Sequence, residues 1–256
     1  MNIIGIIPAR MASTRFPGKP LAKILGMPMI GHVYNRSKMA NILDEVYVAT
    51  CDQEISDYVN SIGSRAVKTA NTHLRASDRT AEALLIIEEQ TGQKLDIVVM
   101  LQGDEPMIVP EMIETAVQPL LFDQSIQVSN LMAELKSKEQ WKDPNEVKVV
   151  VDRESYALYF SREPIPSNKK FDGRITAYKQ VCVMPFTRDC LLTYIKLEPT
   201  ALEIIESVDM NRFLEHGIKV KMVKTEFNTL AVDTPEDLKK VEEIMVDDEF
   251  INKYIN

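Results

Sequence analysis

Three cations are spaced through one short stretch of this chain. They are Arg10, Arg15 and Lys19, with Ser13, Thr14 and Gly18 between them. Fixed positive charge mixed with small hydroxyl and glycine residues suits an anion. Backbone N–H groups can come close to phosphate oxygens there, and the cations neutralise them. A solvated basic loop would explain the three charges as well. A second chemistry is offered by Asp104, in Gln102-Gly103-Asp104-Glu105-Pro106. A carboxylate beside a phosphate loop is a candidate ligand for magnesium, which takes hard oxygens from one or two carboxylates, substrate phosphates and water. Seen alone, a turn carboxylate is more often a solvated cap. Cys51, Cys182 and Cys190 have no zinc-ligand spacing and are odd in number, which suits free thiols in a reducing cytoplasm.

The elements around these residues decide between the readings. Residues 3–7, Ile-Ile-Gly-Ile-Ile, form an apolar run too short to span a membrane, and read as a strand buried on both faces. The cationic loop, residues 8–20, follows it directly. Ligands of open α/β sheets bind outside the carboxyl ends of strands, so this placement favours phosphate. A turn at 26–28, a helix over 29–40, a strand over 46–50, a helix over 53–62 and a short strand over 66–68 come next. His32, alone in the first helix, reads as structural. Residues 73–79 open a helix over 80–90, with Ser77 or Asp78 as N-cap. That segment reads either as an anion contact at a helix N-terminus or as an ordinary cap beside a surface arginine, Arg79. A strand over 96–101 ends at Gln102. Strands and helices alternating at this spacing predict an α/β fold with a mostly parallel, Rossmann-like mixed sheet flanked by helices.

The second half reads as a helix over 110–121, a strand over 128–131 and a polar stretch, 136–143, holding Trp141. Two strands, 144–152 and 156–162, suggest a hairpin bearing Lys148 and Arg162. One strand over 177–186, a helix over 187–195 and one long helix over 200–217 follow. Glu203 and Glu206 share a face of the last. A strand over 218–223 precedes Thr234 as N-cap with Pro235 at the first helical position. The tail, 246–256, is acidic and expected to be peripheral.

At 256 residues the chain can bury its core as one domain, residues 1–256. Its net charge of −8 argues against a nucleic-acid coat, so a phosphate site must be a local concentration of cations. No apolar stretch approaches the ~18 residues of a membrane span, and no signal peptide is visible.

The loop P-A-R-x-x-S-T-R-x-P-G-K-P-L resembles the nucleotide loop of cytidylyltransferases that activate acidic sugars, above all the 3-deoxy-manno-octulosonate (KDO) cytidylyltransferases. L-Q-G-D-E-P-M-I, P-N-x-V-K-V-V-x-D, Y-A-L-Y-F-S-R-x-x-I-P and V-D-T-P-E-D-L are similar to further segments of that family, and the likeness runs from Ile6 to Leu238. The resemblance implies a nucleotide-diphospho-sugar transferase type of fold with a small hairpin-containing dimerisation subdomain, and a homodimer, while the free thiols and the absence of a visible signal peptide predict a cytoplasmic protein. It implies CTP and an acidic sugar as substrates, giving a CMP-sugar and pyrophosphate, and Mg2+ held by Asp104 and Asp233. The nucleotide would meet Pro8, Ala9, Arg10, Ser13, Lys19, Ser77, Asp78, Arg79 and Gln102, with Arg10, Lys19 and both aspartates catalytic. The sugar would meet Gln102, Arg162, Gln180, Met184, Glu203 and Glu206. The family pattern H-x-S-G-T-D-R is altered here by Arg75, Ala76 and Ser77. Gln180 stands where the family has a histidine, and Met184 where it has a tyrosine. These departures leave open a different acid, such as an amino-substituted KDO or a nonulosonic acid. A non-catalytic nucleotide-binding protein is the alternative from another class.

Overall fold

The computed structural model describes residues 1–12, 15–173, 175–227 and 229–255. The chain gathers into two compact units, Met1–Glu114 with Thr229–Asn256, and Thr115–Asn228.

The first unit opens with β1 (Ile3–Ala9), in which every residue is buried. A cationic loop and a single 3-10 turn, Lys19–Leu21, lead to a small hairpin of β2 (Lys23–Ile24) and β3 (Met27–Pro28). Then come α1 (Met29–Lys38), β4 (Glu45–Thr50), α2 (Gln53–Ser61), β5 (Arg65–Lys68), α3 (Ala76–Thr91) and β6 (Ile97–Leu101). β1 lies between β4 and β6, and β4 pairs onward with β5, all parallel. The apolar runs thus sit side by side, as a sheet covered on both faces requires. Helix α4 (Pro110–Phe122) follows.

The second unit holds β7 (Ser129–Glu134), α5 (Lys138–Lys142), β8 (Lys148–Val151), β9 (Ala157–Ser161), β10 (Tyr178–Val181) and β11 (Val183–Thr187). It continues with α6 (Arg188–Tyr194), α7 (Ala201–Glu206), α8 (Asp209–Glu215) and β12 (Lys221–Thr225). Its sheet runs β12-β7-β10-β8-β9, parallel at β12–β7 and antiparallel elsewhere. The expected hairpin is present as β8–β9. The chain then returns to the first unit as α9 (Pro235–Met245). Thr234 caps α9 in a capping box with Asp237, and Pro235 takes the first turn, as the sequence predicts.

Four expectations are corrected. The strand over 177–186 is two strands, broken at Cys182. A continuous apolar run cannot show where a strand ends and another begins. The helix over 200–217 is also two, because Ser207 takes a left-handed φ of 53°. No glycine or proline marks that break, so helical periodicity reads through it. Helix α3 begins at Ala76, with extended Arg75 as N-cap, so Ser77 and Asp78 lie inside its first turn. Finally, the tail is not peripheral. Ile251 is buried in a cluster with Ile24, Met29, Val232, Val241 and Met245, and Tyr254 and Ile255 pack against it.

Cys190, buried on α6, is a test of the second unit's core. Burial pushes its thiol up from 9.0 to about 12. The unfolded chain therefore loses this proton first, and stability falls as pH rises from 9.0 towards 12. The slope from this one group is about 1.4 kcal/mol per pH unit. Urea unfolding of wild type and Cys190→Ala at pH 8 and pH 10 should show a steeper loss in wild type. Native Cys190 should also resist alkylation at pH 8.

Candidate active site

The site grows from the carboxyl ends of neighbouring strands. In the β1–β6 ladder Ile6 faces Met100, so the loops after Ala9 and Leu101 leave the sheet side by side. Gly103 permits their close approach. A Cβ there would lie 3.4 Å from the Pro8 carbonyl oxygen and 3.2 Å from Ile30 Cδ1. The cationic loop is pinned at two points. The Met11 N–H donates to Asp52 Oδ2 at 2.7 Å, and the Gly18 N–H donates to the Met11 carbonyl at 3.2 Å. Gly18 has φ 74°, which glycine adopts without strain, and the Lys19 turn begins from it.

Lys19 is the centre of the arrangement. Its Nζ donates to Asp104 Oδ2 at 2.7 Å and to the Val232 carbonyl at 2.9 Å, and lies 3.4 Å from Asp233 Oδ1. Arg15 Nη2 reaches the same Asp233 oxygen at 2.9 Å. The Val232 N–H donates to the Asp104 carbonyl at 2.9 Å, tying the two aspartate segments by their backbones as well. Two carboxylates far apart in sequence therefore converge on one point that a cation can occupy. This donor set fits magnesium, which completes its shell with phosphate oxygens and water. Among the described residues no group of three or more His, Cys, Asp or Glu side chains gathers around a metal position.

Beside this cluster lies a cleft of about 320 Å³, lined among others by Arg10, Arg15, Lys19, Gln102 and Asp104. Pro8 and Ala9 line it too, so the end of β1 is one wall. His73, Arg75 and Arg79 form part of another. Ser13 lies outside the described residues. Ser77 is fully buried, and Asp78 is half-buried in the first turn of α3. Arg79 is no surface arginine. It is 3% exposed, and Nη1 donates to the Thr69 hydroxyl and, at 3.1 Å, to the Ala70 carbonyl. His73 pairs with Glu82, whose carboxylate also accepts the Ala70 N–H at 2.9 Å. Both contacts set the shape of the segment leading into α3. Sequence reasoning passed over Asp52 and gave Arg15 no partner. The signal for Asp52 was its position at the carboxyl end of β4, next to the loop it holds.

The second unit uses its charged residues internally. Lys148 is fully buried and donates to the carbonyls of Asp143, Glu146 and Arg162 at 2.7, 2.6 and 2.6 Å, while burial lowers its pKa. Arg162 donates from Nε to the Glu206 carbonyl at 2.7 Å and from Nη1 to the Pro144 carbonyl at 2.8 Å. Glu203 is buried and takes two 2.6 Å bonds from Arg212, rather than standing on a solvated acidic face. Glu206 accepts from the Tyr159 hydroxyl at 2.7 Å, the Ser161 hydroxyl at 2.8 Å and the Arg162 N–H at 2.7 Å. Met184 is 3% exposed. Gln180 Nε2 donates to Asn130 Oδ1 at 2.6 Å and approaches Met184 Sδ at 3.8 Å. The acids predicted to meet sugar hydroxyls thus have their oxygens occupied by the protein. An acidic pair at helical spacing does not reveal its buried partners.

A family model described as Cytidylyltransferase matches residues 4–223. The 3-deoxy-manno-octulosonate cytidylyltransferase of Geobacter metallireducens is 44% identical over 95% of this chain and 97% of its own length. The chain belongs to the KDO cytidylyltransferase family. A second member, from Thermodesulfovibrio yellowstonii, is 40% identical over 96% of this chain and 98% of its own. A solved structure of CMP:2-keto-3-deoxy-manno-octonic acid synthetase complexed with CTP superposes with a TM-score of 0.87 at 36% identity, covering 96% of this chain and 99% of that one. The expected α/β fold, with a parallel-rich sheet flanked by helices, is the fold of this family. At 14% identity, 4-diphosphocytidyl-2C-methyl-D-erythritol synthase from Anaerococcus prevotii shares the fold alone, with a TM-score of 0.61.

Glu206 separates a structural carboxylate from a sugar-binding one. Burial pushes its pKa up, but bonds from the Arg162 N–H, Tyr159 and Ser161 outweigh this and leave it below 4.5. A depressed carboxylate contributes stability above its unfolded pKa and loses it as pH falls through the folded value. Glu206→Gln should cost about 1–3 kcal/mol at pH 7. In urea unfolding, the difference from wild type should shrink as pH falls below 4.5. A variant of unchanged stability with a raised KM for the sugar would instead place Glu206 on substrate.

Proposed function

We propose that this protein is a CTP-dependent cytidylyltransferase that activates KDO, giving CMP-KDO and pyrophosphate. The observation that carries the reading is the convergence of Asp104 and Asp233 on Lys19 beside a cationic cleft, in a chain of this family. The anomeric C2 hydroxyl of the sugar attacks the α-phosphorus of CTP. One P–O bond forms to the sugar, and the P–O bond to the β-phosphate breaks in line.

The reaction needs positioning and charge neutralisation more than a protein nucleophile. Arg10, Arg15 and Lys19 hold the phosphates. Because Lys19 also bonds both aspartate segments, it couples the phosphate position to the carboxylates. Pro8, Ala9 and Gln102 shape the wall against which a base and ribose lie, with Asp78 and Arg79 setting the entry to α3. Asp104 and Asp233 would hold Mg2+, which would supply charge to polarise the α-phosphate and lower the pKa of the attacking hydroxyl. On the sugar side, Gln102 and Arg162 carry the resemblance.

The enzyme works in the cytoplasm, where CTP is made. No helix of the described residues is long and apolar enough to cross a membrane. A homodimer joined through the β8–β9 unit is the assembly the resemblance favours.

A second reading, a cytidylyltransferase for a different acid, rests on Gln180 and Met184. Here both belong to an internal network with Asn130, and Met184 is buried. This favours plain KDO, because a change of packing at these positions need not change the substrate.

Pyrophosphate release from CTP with KDO tests the assignment, with ATP and GTP as poor donors. No release with KDO, but release with an amino-substituted or nine-carbon acid, would transfer the assignment to that acid. Asp104→Asn and Asp233→Asn should each cost roughly 3 kcal/mol or more in the barrier, over a hundredfold in rate, without unfolding. A near-normal rate in either purified variant removes that aspartate from the mechanism.

A further inference from the structure

The tail, residues 246–255, folds back on α1 through buried polar groups. Arg36 is fully buried; its Nη2 donates to Asp248 Oδ1 at 2.8 Å and its Nε to the Tyr254 hydroxyl at 3.0 Å. The Tyr254 hydroxyl lies 2.9 Å from His32 Nδ1, and His32 Nε2 lies 2.8 Å from the Ile24 carbonyl. A carbonyl only accepts, so Nε2 carries the ring proton. Burial is the largest influence on His32 and lowers its pKa, keeping the ring neutral. Nδ1 is then an acceptor, and the Tyr254 hydroxyl, its own pKa raised by burial, donates to it. The bonds therefore run one way, from Arg36 through Tyr254 and His32 to the Ile24 carbonyl.

This chain ends close to the site in sequence and in packing. Ile24 stands on β2, directly after the Lys19 turn. Ile251 shares its apolar cluster with Ile24, Met29 and Val232. Met29 lines the cleft, and Val232 binds Lys19 through its carbonyl and Asp104 through its N–H.

We propose that the tail is a positioning strap for the carboxylate pair. Tyr254, through His32 and the Ile24 carbonyl, and Ile251, through Val232, hold Lys19, Asp104 and Asp233 in register. Neither tail residue touches substrate. The link to metal rests on the reading of Asp104 and Asp233 as magnesium ligands; the link to Val232 does not.

The test uses Tyr254→Phe in the full chain, which removes only the hydroxyl. Amide hydrogen exchange, without metal or nucleotide, is followed at Val232 and at Val48 in the middle of β4. Exchange at Val232 should accelerate about tenfold with Val48 unchanged, the mark of a local opening. Manganese binding in the presence of a non-hydrolysable CTP analogue should weaken severalfold. Ile251→Val, a milder change, should act the same way if Tyr254→Phe does not fold, and exposed Asn252→Ala should behave as wild type. Unchanged exchange at Val232, or equal acceleration at Val232 and Val48, overturns the strap. If exchange accelerates locally and manganese binding holds, Asp233→Asn decides. Loss of binding there overturns the strap's action on the metal, whereas retained binding overturns the metal reading and leaves the local opening in the strap's favour.

Discussion

Two carboxylates held within reach of one another repel, and the first unit is arranged around the cation that makes their meeting tolerable. Lys19 does this work rather than Arg15. Its side chain is 13% exposed against 51% for Arg15, so its pairing is screened less by water and salt. It also donates to the Val232 carbonyl, which fixes the backbone of the segment carrying Asp233. A cation on a flexible stem suits a place where phosphates and a divalent ion must later share the same oxygens.

Three separate stretches have to be delivered to that point. The parallel pairing of β1 with β6 places the Lys19 loop and Asp104 side by side, and the return of the chain after β12 brings Asp233. Hydrogen bonds then lock what the sheet has brought near, from Val232 N–H to the Asp104 carbonyl and from Met11 N–H to the Asp52 carboxylate. The loop is pinned at Met11 and Gly18 rather than by regular structure.

The first unit was largely legible in the sequence because its signals are local. Short apolar runs followed by turn residues mark buried strands, and Thr234-Pro235 marks a helix start whichever way the rest folds. What was not legible depends on partners distant in sequence. Nothing near Ser207 says that a helix breaks there, and nothing near Cys182 says that one strand ends and another begins. The acidic tail looked solvated because Arg36, its buried counter-charge, is more than two hundred residues away. The phosphate-loop cations were visible as a group. That Lys19 binds both aspartates, and that Arg15 reaches Asp233, was not.

The same distinction explains why the sugar side was the hardest part to read. A motif records which side chains are present, not how each is used. Glu203 and Glu206 match an acidic pattern, yet Arg212 takes the first, and Tyr159, Ser161 and the Arg162 N–H take the second. Removing one partner of a buried ion pair leaves an uncompensated charge and costs several kcal/mol. A carboxylate so committed has little acceptor capacity left for a sugar hydroxyl. Substrate selection in such a protein therefore falls to polar groups whose bonds are not already spent on the fold. In the first unit, the cleft side chains Arg10 and Gln102 meet that condition better than any of the buried acids.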